Sequence, residues 1–271
     1  MQKDGLGDRI KAYERHETGR VFVKGIPIVA RMDGKAFHTL TRGMDKPFDE
    51  TFMRMMQGTA KQLVQDTGAD IGYVQSDEIT LIWKNEDVNA QLWLGGKVFK
   101  WHSILASMTT SIFAPAMAMV GLTAMFDARV FQVPNLVEAM NVLTWREQDA
   151  VRNSVQMLAQ SLYSHKELQG KNASDLQDMC WEMGHNWNDL SSDKKRGTYY
   201  KRIHVFRKFT TDEIDKLPEK HEARTNPDLY VERKDVVQWD IDIITKYRVE
   251  DRMSLLFNKN RIEIGNYTFG E

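Results

Sequence analysis

Apolar and polar positions along the chain switch between two periods, and the switches outline a fold. Residues 8–17 are charged with Ile10 and Tyr13 on one side, which predicts a surface helix. A β-branched run at 26–30 predicts a strand, broken at Asp33-Gly34. From 49 to 66, Phe52, Met55, Met56, Ala60, Leu63 and Val64 recur at helical spacing. Residues 70–74 read as a strand, Ser76-Asp77-Glu78 as a tight turn and 79–83 as the returning strand, a hairpin with acids at its tip. A long uncharged helix follows, then a strand at 123–133. Strand, helix, hairpin, helix, strand is the split β-α-β order called ferredoxin-like, an α+β class with an antiparallel sheet on one side and helices on the other. That order lets the end of the first strand and the hairpin tip lie side by side. Asp33 and Asp77, 44 positions apart, can then meet in space.

Beyond this unit, residues 136–163 predict a helix carrying Trp145, Val151, Val155, Leu158 and Leu162 on its apolar face. Residues 168–187 predict further helix with polar interruptions, and 198–206 a strand. The segment 211–235 is rich in charge and contains Pro218 and Pro227, which predicts loop or helix over a surface. No internal repeat or low-complexity tract is present.

Composition adds limits. With 271 residues the chain can bury a substantial core, and its 42% hydrophobic and 28% charged content is that of a globular protein. Lys plus Arg (37) against Asp plus Glu (38) gives net charge -1, so any nucleic-acid signal must be local. A single cysteine, Cys180, excludes an intramolecular disulfide framework and a zinc-thiolate cluster, and fits a reducing, cytoplasmic compartment. Cys180 lies between Met179 and Trp181 and reads as a core residue. Asp4 and Asp8 stand where a secretory signal needs an apolar run. The uncharged stretch 103–126 reaches membrane-span length, but its serines and threonines, Pro115 and Gly121 fit a buried small-residue helix, so no membrane partner is expected.

Candidate chemistry centres on the acids. A carboxylate at a strand end before a glycine, with Asp77 and Glu78 on a neighbouring hairpin, supplies the hard oxygen ligands that Mg²⁺ shares with substrate phosphates. The competing reading is that Asp-Gly and Ser-Asp-Glu are ordinary turns. Lys46, in a loop, and Lys97 and Lys100, at the start of the long helix, suit a triphosphate or are simply solvated. The segment 194–202, with Lys195, Arg196, Lys201 and Arg202 around Tyr199 and Tyr200, reads either as a nucleic-acid grip or as a charged strand edge. The histidines show no metal-ligand spacing.

Several strings carry a resemblance. Arg31-Met32-Asp33-Gly34-Lys35-Ala36-Phe37-His38, Gln75-Ser76-Asp77-Glu78 and Trp145-Arg146-x-x-Asp149 resemble the tRNA-histidine guanylyltransferase family and its bacterial-type "like" proteins. So do Leu168-Gln169-Gly170, Arg196-Gly197-Thr198 and the run from Pro218 to Arg224, all in the family's order, from the N-terminus to about residue 233. The resemblance implies a polymerase-type palm that adds nucleotides 3′-to-5′ onto the 5′ end of tRNA. The RNA end is first activated by ATP or GTP, then attacked by the 3′-hydroxyl of an incoming nucleotide. It implies a palm-like catalytic core at 1–135, a helical and basic-aromatic region at 136–235 completing the fold, and a C-terminal extension at 236–271. It further implies two Mg²⁺ ions on Asp33, Asp77 and Gly34, with Glu78 among the catalytic residues as a support to the acidic site. Ser76, Lys46, Lys97, Lys100 and His38 are implied as nucleotide contacts, and a homotetramer as the assembly. Arg152, Asn153, Lys195, Arg196, Lys201 and Arg202 are the expected tRNA contacts.

One departure bears on substrate. Where the eukaryotic enzymes carry His-Ile-Asn-Asn, this chain reads Val151-Arg152-Asn153-Ser154, which favours templated 5′-end repair over strict guanylation of histidine tRNA. A nucleotidyl cyclase on the same palm and a non-catalytic RNA-binding protein are the alternative functions.

Overall fold

The computed structural model describes residues 5–118, 121–226, 228–239, 247–258 and 261–263. In chain order the elements are α1 (Gly5–Thr18), β1 (Ile28–Gly34), α2 (Phe37–Leu40), α3 (Glu50–Thr67), β2 (Ile71–Gln75) and β3 (Glu78–Trp83). They continue with α4 (Val98–Ala118), β4 (Phe126–Gln132), α5 (Leu136–Leu162), α6 (His165–Leu168), α7 (Ala173–Glu182) and α8 (Ser192–Arg196). Last come β5 (Thr198–Lys208), α9 (Thr211–Asp215), β6 (Tyr230–Trp239), α10 (Val249–Phe257) and β7 (Arg261–Glu263).

The sheet runs β4-β1-β3-β2-β5-β6, and its first four strands have the expected ferredoxin-like order. These pairings are antiparallel, and only the short β7 joins β5 in parallel. Helix α3 begins where Asp49 accepts the Phe52 amide at 2.8 Å. It ends at Gly68, φ 69°, a left-handed position suited to glycine. The uncharged α4 buries Val98, Trp101, Leu105, Thr109, Phe113 and Met117, one stripe at helical spacing. Its hydroxyls turn inward on the helix backbone, as where Thr109 donates to Leu105 O at 2.7 Å. Among the described residues no helix is long and apolar enough to cross a membrane.

Alternation along each strand sends its two residue sets to different cores. Ile28, Ala30 and Met32, with Val74, Ile79 and Leu81, pack under α3 and α4. Val29, Ile71, Tyr73 and Ile82 face Ala139, Met140 and Leu143 of α5 and Leu256 and Phe257 of α10. Both faces are therefore covered, which corrects the expected one-sided arrangement. A third cluster joins Val155, Leu158 and Ala159 of α5 to Leu176, Cys180 and Trp187, so α5 links the sheet to a helical annex.

Two further differences concern the second half. Residues 230–235, expected as loop or helix, and 236–239, expected in the C-terminal extension, form one strand laddered to β5 over ten pairs, Tyr199↔Trp239 to Lys208↔Tyr230. Of its side chains only Val236 is buried, so no alternating apolar pattern announces it. The strand is made by backbone pairing with a distant partner. The expected boundary at 235/236 falls inside this strand, and β5 extends the sheet of the first unit directly through β2. The expected C-terminal extension includes 240–246, 259–260 and 264–271, which lie outside the described residues.

Candidate active site

Strand β1 runs on through Asp33 and Gly34 instead of breaking before them, and Asp33 pairs in register with Glu78 on one side and Asp127 on the other. The β2–β3 hairpin turns through Ser76 and Asp77, with Gln75 paired to Glu78. Ser76 sits at φ 48°, a left-handed conformation that costs a non-glycine residue about 1 kcal/mol or more. The Gly34 amide donates to the Asp77 carbonyl at 3.1 Å and ties the hairpin tip to the end of β1. A Cβ at position 34 would come within 2.2 Å of the Phe37 ring, so glycine is required for Phe37 to close the site from below.

Asp33, Gly34, His38, Ser76 and Asp77 together line a cavity of about 330 Å³. Burial raises the Asp77 carboxyl above its ordinary range, and the Asp33 charge pushes it the same way. Its own backbone, the Ser76 hydroxyl (3.2 Å from Oδ1) and His38 act in the opposite sense. Two carboxylates held together at a net electrostatic cost suit a cation. Among the described residues no set of three or more His, Cys, Asp or Glu side chains could hold a metal. A pair of carboxylates beside a glycine carbonyl is nevertheless the sparse oxygen set that Mg²⁺ uses when substrate phosphates complete its shell. The residues fit the ion.

Glu78 departs from expectation. It shares the sheet face of Asp33, yet its carboxylate accepts from Arg146 Nε at 2.7 Å and lies 3.6 Å from Arg31 Nε. It is buried and does not line the cavity. Burial raises its pKa, against the opposing charges of Arg146 and Arg31. Arg146 also reaches Asp149 at 3.0 Å, and next to it Tyr199 donates to the buried Glu147 at 2.8 Å. Glu78 thus belongs to a polar layer that seats α5 on the sheet.

A second pocket of about 110 Å³ adjoins the cavity, sharing Thr41, Phe52 and Ser76 with it. Met44, Phe48, Met53 and Met157 give it an apolar lining, and Lys46 and Lys194 stand in it beside Asp45, Asp49 and Asp193. Of the expected nucleotide contacts, the fold therefore groups Ser76, His38 and Lys46. Lys97 and Lys100 are elsewhere. They line a cavity with Lys11, Glu14 and Arg15 of α1. The site end of α4 is marked by Phe113, which packs on Phe37. Phe113 lies 15 residues from Val98, roughly 22 Å along the axis at 1.5 Å per residue.

The basic-aromatic segment also differs from both of its readings. Strand β5 lies between β2 and β6, so it is not an edge. Tyr199 and Tyr200 are buried, which removes them as stacking surfaces. Lys201 is buried too, donating to Leu255 O at 2.9 Å with its ammonium 4.7 Å from the Trp239 ring, so it presents no charge to RNA. Arg202 lies 3.5 Å from Asp70, Lys195 donates to Asn188 O at 2.7 Å, and Arg196 stands over Trp187. The segment turns at Gly197, φ 79°, where a Cβ would sit 2.5 Å from Val74 O.

Within 151–154, Val151 packs on the annex core and the buried Ser154 accepts from Trp187 Nε1 at 3.0 Å. Asn153 faces the pocket, while Arg152 points outward and pairs with Asp149 at 2.9 Å. Sequence reasoning missed Phe48, Met157 and Lys194 at the pocket. It also missed Arg129, whose guanidinium is 3.8 Å from both Asp33 and Asp127. Only the β1–β4 register reveals Arg129, by placing it opposite Arg31.

A ferredoxin-like sheet with two acids at the ends of adjacent strands is a polymerase-type palm. Residues 7–134 match the profile of the tRNAHis guanylyltransferase family. A bacterial tRNA(His) guanylyltransferase-like protein solved in complex with ATP is 37% identical, with a TM-score of 0.69, covering 73% of this chain and 88% of its own. A second structure of a bacterial tRNA(His) guanylyltransferase-like protein, in complex with GTP, is 30% identical, with a TM-score of 0.71, covering 94% of this chain and 100% of its own. The tRNA(His) guanylyltransferase of Saccharomyces cerevisiae is 27% identical over 214 residues, 71% of this chain and 88% of that protein. The chain belongs to the tRNA(His) guanylyltransferase family.

Proposed function

We propose that this protein adds nucleotides in the 3′-to-5′ direction to the 5′ end of tRNA, using ATP or GTP to activate that end. The observation that carries the reading is the junction of the two-acid cavity with the apolar pocket through Thr41, Phe52 and Ser76. A nucleoside triphosphate spanning them has its base among Phe48 and Met157 and its phosphates at Ser76, Lys46 and Lys194, beside Asp33 and Asp77. The 5′ phosphate of the RNA attacks the α-phosphorus and releases pyrophosphate. The 3′-hydroxyl of the incoming nucleotide then attacks that 5′ phosphate and releases the nucleoside monophosphate. Asp33, Asp77 and the Gly34 carbonyl are the proposed holders of two Mg²⁺ ions. These ions, when bound, neutralise phosphate charge and lower the cost of ionising the attacking hydroxyl. Ser76 and His38 orient the phosphates from the cavity wall.

The substrate proposed is tRNA lacking its first nucleotide, filled by pairing with the opposite strand. Val151 faces the annex core, so the outward donors of this stretch are Arg152 and Asn153, which can hold a phosphate without selecting one tRNA. The protein is also proposed to be cytoplasmic and to act as a homotetramer. Lys97 and Lys100 reach a triphosphate only from another copy, because their own site is at the far end of α4.

The test is incubation with 5′-truncated and intact histidine tRNA, each nucleoside triphosphate and Mg²⁺, followed by sequencing of the 5′ ends. Templated extension of the truncated tRNA is expected to exceed guanosine addition to the intact one. Preferential untemplated guanosine addition overturns the repair reading, and a cyclic product from GTP alone overturns the tRNA reading.

A further inference from the structure

Trp145 is an aromatic side chain that no step above uses, and it is held in an unusual setting. It belongs to α5, where its neighbour Arg146 is buried, yet the indole itself remains 49% exposed. The Arg146 guanidinium lies 4.5 Å from its ring centroid and that of Arg31 lies 5.6 Å away. Arg146 is hydrogen-bonded to Glu78 at 2.7 Å, and Arg31 is ion-paired to the same carboxylate at 3.6 Å. A solvent-facing indole is ordinarily free to change rotamer, but this one lies against two cations, the nearer of them held by a buried carboxylate, which favours one orientation. The ring is therefore pre-organised without being covered.

Its position gives that surface a use. Arg31 precedes Asp33 by two residues on the same sheet face, roughly 7 Å along β1. Arg129, directly across from Arg31 on β4, extends toward Asp33, and Arg152 lies two turns beyond Trp145 on α5. A half-open planar ring thus stands beside the proposed phosphoryl-transfer cavity with half-exposed guanidinium groups around it. The apolar pocket lies on the other side of Ser76 and already accounts for the base of the triphosphate. A planar ring near the RNA 5′ phosphate leaves one ligand that matches both its flatness and its cationic rim, the last base pair of an RNA helix.

We propose that Trp145 is the stacking cap for the terminal base pair of the acceptor helix. It sets where the helix ends and so places the 5′ phosphate at Asp33 and Asp77. This rests on the tRNA reading above.

The experiment compares wild type with Trp145→Ala and Trp145→Phe, each checked for unchanged thermal unfolding. It measures KM for truncated tRNA, KM for ATP, and the Kd of a blunt RNA minihelix with and without an abasic site in its terminal pair. The proposal expects Trp145→Ala to raise the RNA KM and Kd on the order of tenfold. It expects the KM for ATP to stay unchanged, Trp145→Phe to recover most of the loss, and the abasic minihelix to bind wild type and Trp145→Ala alike. An unchanged RNA KM overturns it, as does a loss that persists with the abasic minihelix. A parallel rise in the KM for ATP, or unfolding of both variants, assigns Trp145 to the α5–sheet contact and overturns it as well. Absence of nucleotide addition by the wild type, by contrast, overturns the tRNA reading itself.

Discussion

Glu78 and Arg146 form a buried ion pair at 2.7 Å directly behind the two-acid cavity, with Glu78 in register opposite Asp33. The acid expected as a support to the metal site is held by an arginine of α5 and fastens that helix to the sheet.

Arg146→Met leaves Glu78 buried with only the more distant Arg31. Removing one partner of a buried pair costs about 3–5 kcal/mol, so urea unfolding should show a loss of that size. Glu78→Gln, which keeps an acceptor for Arg146, should cost less. Equal stability of Arg146→Met and wild type would show that the pair does not seat α5.

Asp77→Asn should separate stability from activity. It removes a buried charge beside Asp33, so the unfolding temperature of the metal-free protein should hold or rise. Nucleotide addition should fall by more than about a hundredfold, the upper range seen when only a supporting residue of a metal site is lost. Mg²⁺ or Mn²⁺ should raise the unfolding temperature of the wild type and not of the variant. A variant with near-normal turnover at saturating Mg²⁺ refutes the metal assignment.

Lys97→Ala/Lys100→Ala and Asp77→Asn should each be inactive alone. If the lysines serve another copy's site, mixing the two variants restores activity, because some sites then combine an intact cavity with intact lysines. Light scattering should show more than one copy per particle. A monomeric, active protein would remove the lysines from the mechanism.

Burial and the neighbouring charge of Lys84 lower the pKa of Lys201 to about 8 from an ordinary 10.5. A base whose pKa falls on folding binds fewer protons folded than unfolded between those values, so stability rises with pH across that window. Below pH 8 Lys201 is charged in both states and its burial penalty is fully present. Wild type should therefore gain stability relative to Lys201→Met as pH rises from 8 toward 10, measured by urea unfolding. A pH-independent difference would show that Lys201 is not buried in its charged form.

The sequence by itself determined the strand, helix, hairpin, helix, strand order, because each piece carries its own period and its own breaks. It also allowed Asp33 and Asp77 to meet, since the split arrangement puts their strand ends together, and the structure places both on one cavity. Tertiary structure decided what local pattern does not encode. Strand β6 exists by pairing its backbone with β5, so its side chains needed no apolar alternation. Tyr199, Tyr200 and Lys201 read as a charged aromatic surface in isolation, but pairing on both edges of β5 and packing on both its faces bury them. Glu78 reads as one of two acids at the hairpin tip, and only the packing of α5 supplies the Arg146 that turns it inward. Lys97 and Lys100 stand at the start of a helix as phosphate-binding lysines do, but the direction of α4 carries them to the end away from the cavity. Local periods depend on residues within a few positions. Which side chain meets which charge depends on strand register and helix direction, and those are set by the whole chain packing at once.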